Sequence, residues 1–294
     1  MSRVDLHIHS NASDGKLSPE AIVNLAAELG LKYLALTDHD SVAGIPSALK
    51  AARAFPELTF IPGVEISTDV PEGEVHILGY FIDFTDKEFG QALERFRNSR
   101  LGRAQGMITK LGKLGIDIDW ARVQELAGDG VIGRPHVARA MLEKGYIATF
   151  EEAFEKYIGH GGPAYVERDK MTPAEAVELV RRARGLPVLA HPFTLTEPEA
   201  QVKKLKITGL VGLEAYYKDA SREDVKTMLR LAERYGLIAT GGSDYHGIGE
   251  GNEVKLGGVD VPPQAAEKLI ALAGNPSRSP LRQAQGRPFM KGRG

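Results

Sequence analysis

Cysteine is absent from the 294-residue chain. No disulfide can form, and any metal site must be built from His, Asp and Glu. Also absent is an apolar run approaching the roughly 18 residues that a membrane span needs. The opening Met1-Ser2-Arg3-Val4-Asp5 leads into a short His-rich segment with no stretch long enough for a signal peptide, so a cytoplasmic setting without a membrane partner is expected. Neither sign of charge is in excess: 37 Lys and Arg against 39 Asp and Glu give a formal charge of −2. That balance supplies no global attraction to nucleic acid, and no long duplex is expected as a partner. Bias of composition is missing too. Hydrophobic residues at 43%, charged residues at 26% and 33 Gly are ordinary globular values, which exclude a disordered, collagenous or disulfide-stapled chain.

What is present is enough length for one large α/β unit of roughly 250 residues, with room for an insertion. Short β-branched or Leu-rich runs alternate with amphipathic segments, the pattern of βα units and a largely parallel sheet. Seven strands are expected, at 4–8, 33–36, 59–62, 75–82, 187–190, 210–214 and 237–240. Helix starts are marked by Ser18-Pro19 and by capping boxes at Thr172-Pro173-Ala174-Glu175 and Ser221-Arg222-Glu223-Asp224.

The alternation breaks between about Ser99 and Glu167, where only helical periodicity remains. Phe89, Leu93, Phe96, Met107, Leu111 and Leu114 predict a long helix ending at Gly115, followed by helices over 120–127, 135–144 and 150–158. The expected organisation is therefore a barrel domain formed by 1–98 and 168–274, a helical insertion over 99–167 acting as a substrate lid, and a disordered tail over 275–294. Arg95, Arg97, Arg100, Arg103, Lys110 and Lys113 crowd the long helix with no acidic residue among them. They read as a solvated face or as a stripe that contacts a polyanion.

The polar residues that carry chemistry cluster at strand ends. His7 and His9 close the first strand, Asp38-His39-Asp40 the second and His191 the fifth; Glu65 lies just past the third, and Ser243-Asp244-Tyr245-His246 follows the seventh. His76, at the start of the fourth, fits less well. In (β/α) barrels such positions converge on one mouth. Alternate strand residues share a face, so His7 and His9 aim two imidazoles the same way. With Asp14, Glu65 and Asp244 supplying carboxylate oxygens, the mixed donors suit Mn, Zn or Fe rather than Ca. A lone His-x-His, or a lone Asp14 in Asn11-Ala12-Ser13-Asp14-Gly15, is more often surface or turn structure than a ligand. Five such segments at consistent strand-end positions point instead to a shared metal site.

The ordered set Asp5-Leu6-His7-Ile8-His9, Thr37-Asp38-His39-Asp40, Gly63-Val64-Glu65, Ala190-His191-Pro192 and Gly242-Ser243-Asp244-Tyr245-His246 resembles the polymerase-and-histidinol-phosphatase (PHP) superfamily. The resemblance implies a distorted seven-stranded (β/α) barrel, two to three divalent ions as cofactors and phosphoester hydrolysis. It implies His7, His9, Glu65 and Asp244 for a first ion, Glu65 as a bridge with His76 and His191 for a second, and Asp14, His39 and His246 for a third. Some relatives carry His in place of Asp14. Gly133-Arg134-Pro135-His136 and Gly161-Gly162-Pro163-Ala164-Tyr165-Val166 resemble the subgroup of nucleoside 3′,5′-bisphosphate phosphatases and 5′-to-3′ exoribonucleases, which implies Arg134 and His136 as phosphate ligands. His160 lies in a Gly-rich turn and is not assigned to the site.

The mechanism expected from this resemblance uses Glu65 and Asp244 to hold ions that acidify a shared water, with attack on phosphorus by the resulting hydroxide. Asp40 and His136 are the candidate acids for the leaving group. The partner is a small phosphorylated substrate, most simply a nucleoside 3′,5′-bisphosphate; a short RNA end and histidinol phosphate are the phosphoester rivals. An amidohydrolase would need a bridging Lys where Glu65 stands. A non-catalytic polymerase-associated module would tolerate lost ligands, and here all nine positions are filled.

Overall fold

The structure is a computed structural model that describes residues 3–70, 73–128, 132–167, 171–248 and 254–274. The tail expected over 275–294 lies outside them. Seven strands follow one another in sheet order exactly as in sequence order: β1 (Val4–Asp5), β2 (Tyr33–Leu36), β3 (Thr59–Val70), β4 (Gly73–Tyr80), β5 (Leu186–Leu189), β6 (Gly212–Tyr217) and β7 (Ile238–Gly242). They curl into a nearly closed barrel: the first strand meets the last through Leu6 N–H to Gly241 C=O and a parallel bridge between Ile8 and Tyr245. All residues of β2 and β5 are buried, as strands covered on both faces must be.

The sheet is largely parallel, as expected, with one exception: β4 runs antiparallel to both β3 and β5. A reversed strand presents its start, not its end, at the mouth, and this places His76 beside the other strand-end residues. The third strand is also longer than 59–62, so Glu65 lies within β3, paired in register with Leu78. Conversely the first strand stops early. Beyond Asp5 the chain leaves the regular ladder, with Ile8 N–H donating to Thr37 Oγ1 and His9 N–H to Tyr245 C=O. Gly242 permits this join, since a Cβ there would strike the His7 backbone.

Helices cover the outside. Ser18 caps α1 (Pro19–Glu28), α2 (Ile45–Ala52) follows, and Asp86 caps the 27-residue α3 (Lys87–Lys113), whose side-chain carboxylate accepts the Phe89 N–H. Next come α4 (Trp120–Ala127), α5 (Arg134–Glu143) and α6 (Phe150–Ala153). The helix expected over 150–158 widens after Ala153 into a π-turn, Phe154–Ile158, closed by Gly159 N–H to Phe154 C=O. The series ends with α7 (Pro173–Arg182), α8 (Pro198–Thr208), α9 (Arg222–Arg234) and α10 (Pro263–Ala273). The expected boxes are formed at the starts of α7 and α9.

Strand alternation sorts the barrel interior. Leu78 and Tyr80 share the face of His76 on β4, and Ile61 shares that of Glu65 on β3; these apolar side chains join Val188, Ala190 and the α10 residues Ala266 and Leu269 in one cluster. The polar groups lie above them. Residues from Ala104 to Ala164 build a separate apolar cluster around Met107, Leu111, Val137 and Met141. Among the described residues no helix is long and apolar enough to cross a membrane.

Candidate metal centre

The nine side chains singled out in the sequence meet at the mouth. Glu65 is central and almost fully buried: Oε2 lies 3.1 Å from His7 Nε2, 3.2 Å from His9 Nε2 and 3.2 Å from His39 Nδ1, while Oε1 lies 2.8 Å from His76 Nδ1 and 3.3 Å from His191 Nε2. Asp244 Oδ1 stands 3.1 Å from His9 Nε2 and 3.4 Å from His7 Nε2. Asp14 Oδ1 is 3.4 Å from His246 Nε2, and its Oδ2 is 3.9 Å from His39 Nε2. Three groups of donor atoms gather within 4.8 Å: His7, His9, Glu65 and Asp244; His39, Glu65 and His76; and His9, Asp14, His39 and His246. The partition differs from the sequence assignment, since His9 and His39 each join two groups and His191 joins none, meeting the cluster through Glu65.

The donors fit divalent cations. Buried His9 Nδ1 and Nε2, Asp14 Oδ1 and His76 Nε2 make no hydrogen bond, and an unsatisfied buried polar atom costs about 1–3 kcal/mol unless another partner takes it. Burial opposes charge throughout, yet opposite charges outweigh it. Glu214, Glu65 and Asp244 raise His7 well above its usual range; Asp244 and Glu65 push His9 up to about 10, and Glu65 pushes His76 up to about 9. Glu65, Asp244 and Asp14 are held well below the usual carboxylate range by the surrounding imidazoles. His39 is the exception, driven down to about 3 by burial. Asp40, His191 and Asp244 also adopt positive φ angles of 46°, 29° and 48°, backbone strain of the kind that concentrates at functional sites.

The sequence assigned no role to the carboxylates that support the cluster. Glu214, fully buried at the barrel face of β6, places Oε1 3.1 Å from His7 Nδ1 and accepts the His191 N–H with Oε2. Asp38 accepts from Ser10 and Ser13 and so braces the loop that carries Asp14. Asp5 accepts both the N–H and the hydroxyl of Ser243 and fixes the Asp244 segment. Tyr217 and Lys218 donate to Asp244 Oδ2 at 2.6 and 3.1 Å. The legible signals were positions in the motifs: Asp5 precedes His7 by two residues, Asp38 precedes His39, and Glu214 ends an expected strand.

The basic stripe is divided by the fold. Arg95, Lys110 and Lys113 are exposed, while Arg103 is buried and Arg100 is largely covered. Arg100 Nε donates to Asp40 Oδ2 at 2.6 Å and its Nη2 to Ser67, which contacts His39. Asp40, fully buried and also accepting the Ser67 N–H, is thus tied up as an ion-pair partner, which weakens its candidacy as a leaving-group acid. Arg134 Nη2 lies 2.6 Å from Glu74 Oε2 and its guanidinium stacks over Phe154. His136 Nδ1 accepts the Gly133 N–H at 3.0 Å, and burial lowers its pKa, so the neutral ring carries its proton on Nε2. A neutral imidazole serves as a hydrogen-bond donor better than as a general acid. His160 is exposed and packs on Tyr165, away from the cluster. A cavity of about 220 Å³ is lined by Asp14, His39 and His76 together with Arg100, Arg103 and Arg134.

Comparison with known proteins gives this geometry a family. The family model described as PHP domain matches residues 5–276. This chain is a PHP-domain protein. The PHP chain is 33% identical over 273 residues to the 3′,5′-nucleoside bisphosphate phosphatase of Chromobacterium violaceum, covering 90% of this chain and 94% of that protein. It is 34% identical to a 5′-3′ exoribonuclease of Salmonella typhimurium, covering 82% and 84%, and 32% identical to the phosphoribosyl 1,2-cyclic phosphate 1,2-diphosphodiesterase of Eggerthella lenta, covering 83% and 94%. Among solved structures, a Bifidobacterium adolescentis protein described as a candidate metal-dependent phosphoesterase superposes with a TM-score of 0.82 at 28% identity, covering 94% and 98%. A Chromobacterium violaceum structure named as an amidohydrolase, with bound sulfate and no metal, gives 0.82 at 31%, covering 92% and 96%. The PHP protein is accordingly a metal-dependent phosphoric ester hydrolase.

Proposed function

We propose that this PHP enzyme removes a phosphate from a small nucleotide, a nucleoside 3′,5′-bisphosphate. The observation that carries the reading is the shared cavity: His39, His76 and Asp14 of the ligand cluster and three guanidiniums, Arg100, Arg103 and Arg134, line the same 220 Å³ space. One end suits the scissile phosphate and the other an additional anion. The similarity to a bisphosphate phosphatase over 90% of the chain supports the same substrate class.

Two or three Mn, Zn or Fe ions held by His7, His9, Asp14, His39, Glu65, His76, His191, Asp244 and His246 would supply an activated water and neutralise phosphoryl charge. The chain's own residues do the rest. Arg134, with its plane set by Phe154, offers two parallel N–H groups to a phosphate, and His136 donates from Nε2. Arg100 fixes Asp40 and Ser67, and through Ser67 it orients His39. Glu214 keeps His7 presenting Nε2 to the cluster by occupying Nδ1. Residues 99–167 form the lid that brings Arg100, Arg103 and Arg134 over the barrel.

The similarity to exoribonucleases favours a second reading, a 5′-phosphorylated RNA end. The test is phosphate and nucleotide release from adenosine 3′,5′-bisphosphate, 5′-phosphorylated RNA oligomers, AMP and histidinol phosphate, with Mn²⁺, Zn²⁺ or chelator. The highest kcat/KM is expected for the bisphosphate. Preference for the oligomers supports the second reading, and preference for AMP or histidinol phosphate overturns both.

A further inference from the structure

We propose that Glu74 is the specificity-determining residue of this cavity, a carboxylate that holds Arg134 and Arg103 until a substrate brings a second phosphate able to take them over. The inference rests on the bisphosphate reading and states how that substrate is told apart from a monophosphate.

Glu74 stands on β4 two residues before His76, so both side chains project from the same face of the strand. Its carboxylate lies between the ligand cluster and the helical lid. Oε2 is 2.6 Å from Arg134 Nη2 and 3.7 Å from His76 Nε2, and Oε1 is 3.4 Å from Arg103 Nη1. The acid belongs to the barrel, whereas the two arginines belong to α5 and α3.

Each guanidinium is fixed on its other side. Arg134 lies over the Phe154 ring, and Arg103 lies over Tyr165 with Nε donating to Val166 C=O at 2.9 Å. Their planes are set by the lid, and the Glu74 contact is the exchangeable one. The neighbouring pair Asp40–Arg100 has a different character, because Asp40 is 0% exposed and Arg100 is further tied to Ser67. Glu74 is 27% exposed and lines the cavity itself, where a solute can reach it.

The chemistry follows from charge. A carboxylate beside a phosphate site repels every anion that enters, so it lowers affinity for phosphate esters in general. Only a ligand whose second phosphate displaces the carboxylate from both guanidiniums recovers that loss, through bidentate, charge-assisted hydrogen bonds. A monophosphate has nothing with which to replace Glu74. The carboxylate thus selects against weak competitors while keeping the arginines aligned for the correct one, a repulsive element working beside an attractive one.

The test compares KM and kcat for adenosine 3′,5′-bisphosphate and for AMP in the metal-loaded wild type, Glu74→Gln, Glu74→Ala and Glu74→Asp, with metal content measured for each. The two neutral variants are expected to lower KM for AMP about three- to tenfold relative to the change for the bisphosphate, while Glu74→Asp keeps the wild-type ratio. An unchanged or raised KM for AMP, a larger fall for the bisphosphate, or equal shifts for both substrates overturns the role of Glu74. A wild type with no preference for the bisphosphate overturns instead the substrate reading on which it rests.

Discussion

Glu65 has both carboxylate oxygens surrounded by imidazole nitrogens from five histidines, whereas Asp14 faces three at 3.4–3.9 Å. Glu65→Gln should therefore reduce kcat/KM far more than Asp14→Asn, with loss of more than one ion per chain in the first variant and at most one in the second. Equal losses in activity and metal content would contradict a bridging place for Glu65. Protonation gives a second check. Without metal, His7, His9 and His76 are charged at neutral pH, because nearby carboxylates outweigh burial and hold them at raised values, about 10 for His9 and about 9 for His76. A ligating imidazole must be neutral, so ion uptake must expel these protons, and affinity should rise as pH climbs from 6 toward 9. Calorimetric titration of the stripped protein with Mn²⁺ or Zn²⁺, in buffers of different ionisation enthalpy, should report net proton release. Zero release would contradict these directions.

At the scale of elements, a single reversed strand and a single long helix decide where chemistry is placed. Reversal of β4 brings His76 and Glu74 to the mouth, and α3 carries Arg100 and Arg103 from the basic stripe onto the barrel. The start of α5 contributes Arg134, outside every group of metal donors. Arg134→Ala is expected to raise KM for a nucleoside 3′,5′-bisphosphate more than for a monophosphate. The loss of a bidentate, charge-assisted contact corresponds to about 10–100-fold in kcat/KM. Steady-state kinetics on both substrates decides it. Equal losses would place Arg134 on the scissile phosphate, and no loss on either would remove α5 from substrate binding.

For the whole molecule, the cluster joins β3 and β4 with the segments after β1, β2, β5 and β7, so whatever binds there fastens six of the seven strands together. Chelation should abolish phosphoesterase activity and lower Tm, because ions that bind the folded form and not the unfolded one stabilise it by mass action. Elemental analysis of the loaded protein should return two or three transition-metal ions per chain. At most one ion, with activity and Tm indifferent to chelator, would contradict the centre.

The sequence by itself determined the class of fold, a long helix running from about Phe89 to Gly115, the helix over 120–127, and the identity of the polar residues at strand ends. Each is written in local periodicity or in short spacings such as His7-x-His9. Loss of the βα rhythm between about Ser99 and Glu167 is likewise visible along the chain, and the described residues there form helices. Tertiary structure alone decided the direction of β4, because a strand reads the same in both orientations until its neighbours are known. It alone divided the basic stripe into exposed Arg95 and buried Arg103, since helix α3 meets the barrel on one side only. The supporting roles of Asp5, Asp38, Glu74 and Glu214 were hidden for the same reason: each acts on a residue from another segment of the chain, and pairing between distant segments leaves no mark in a single sequence.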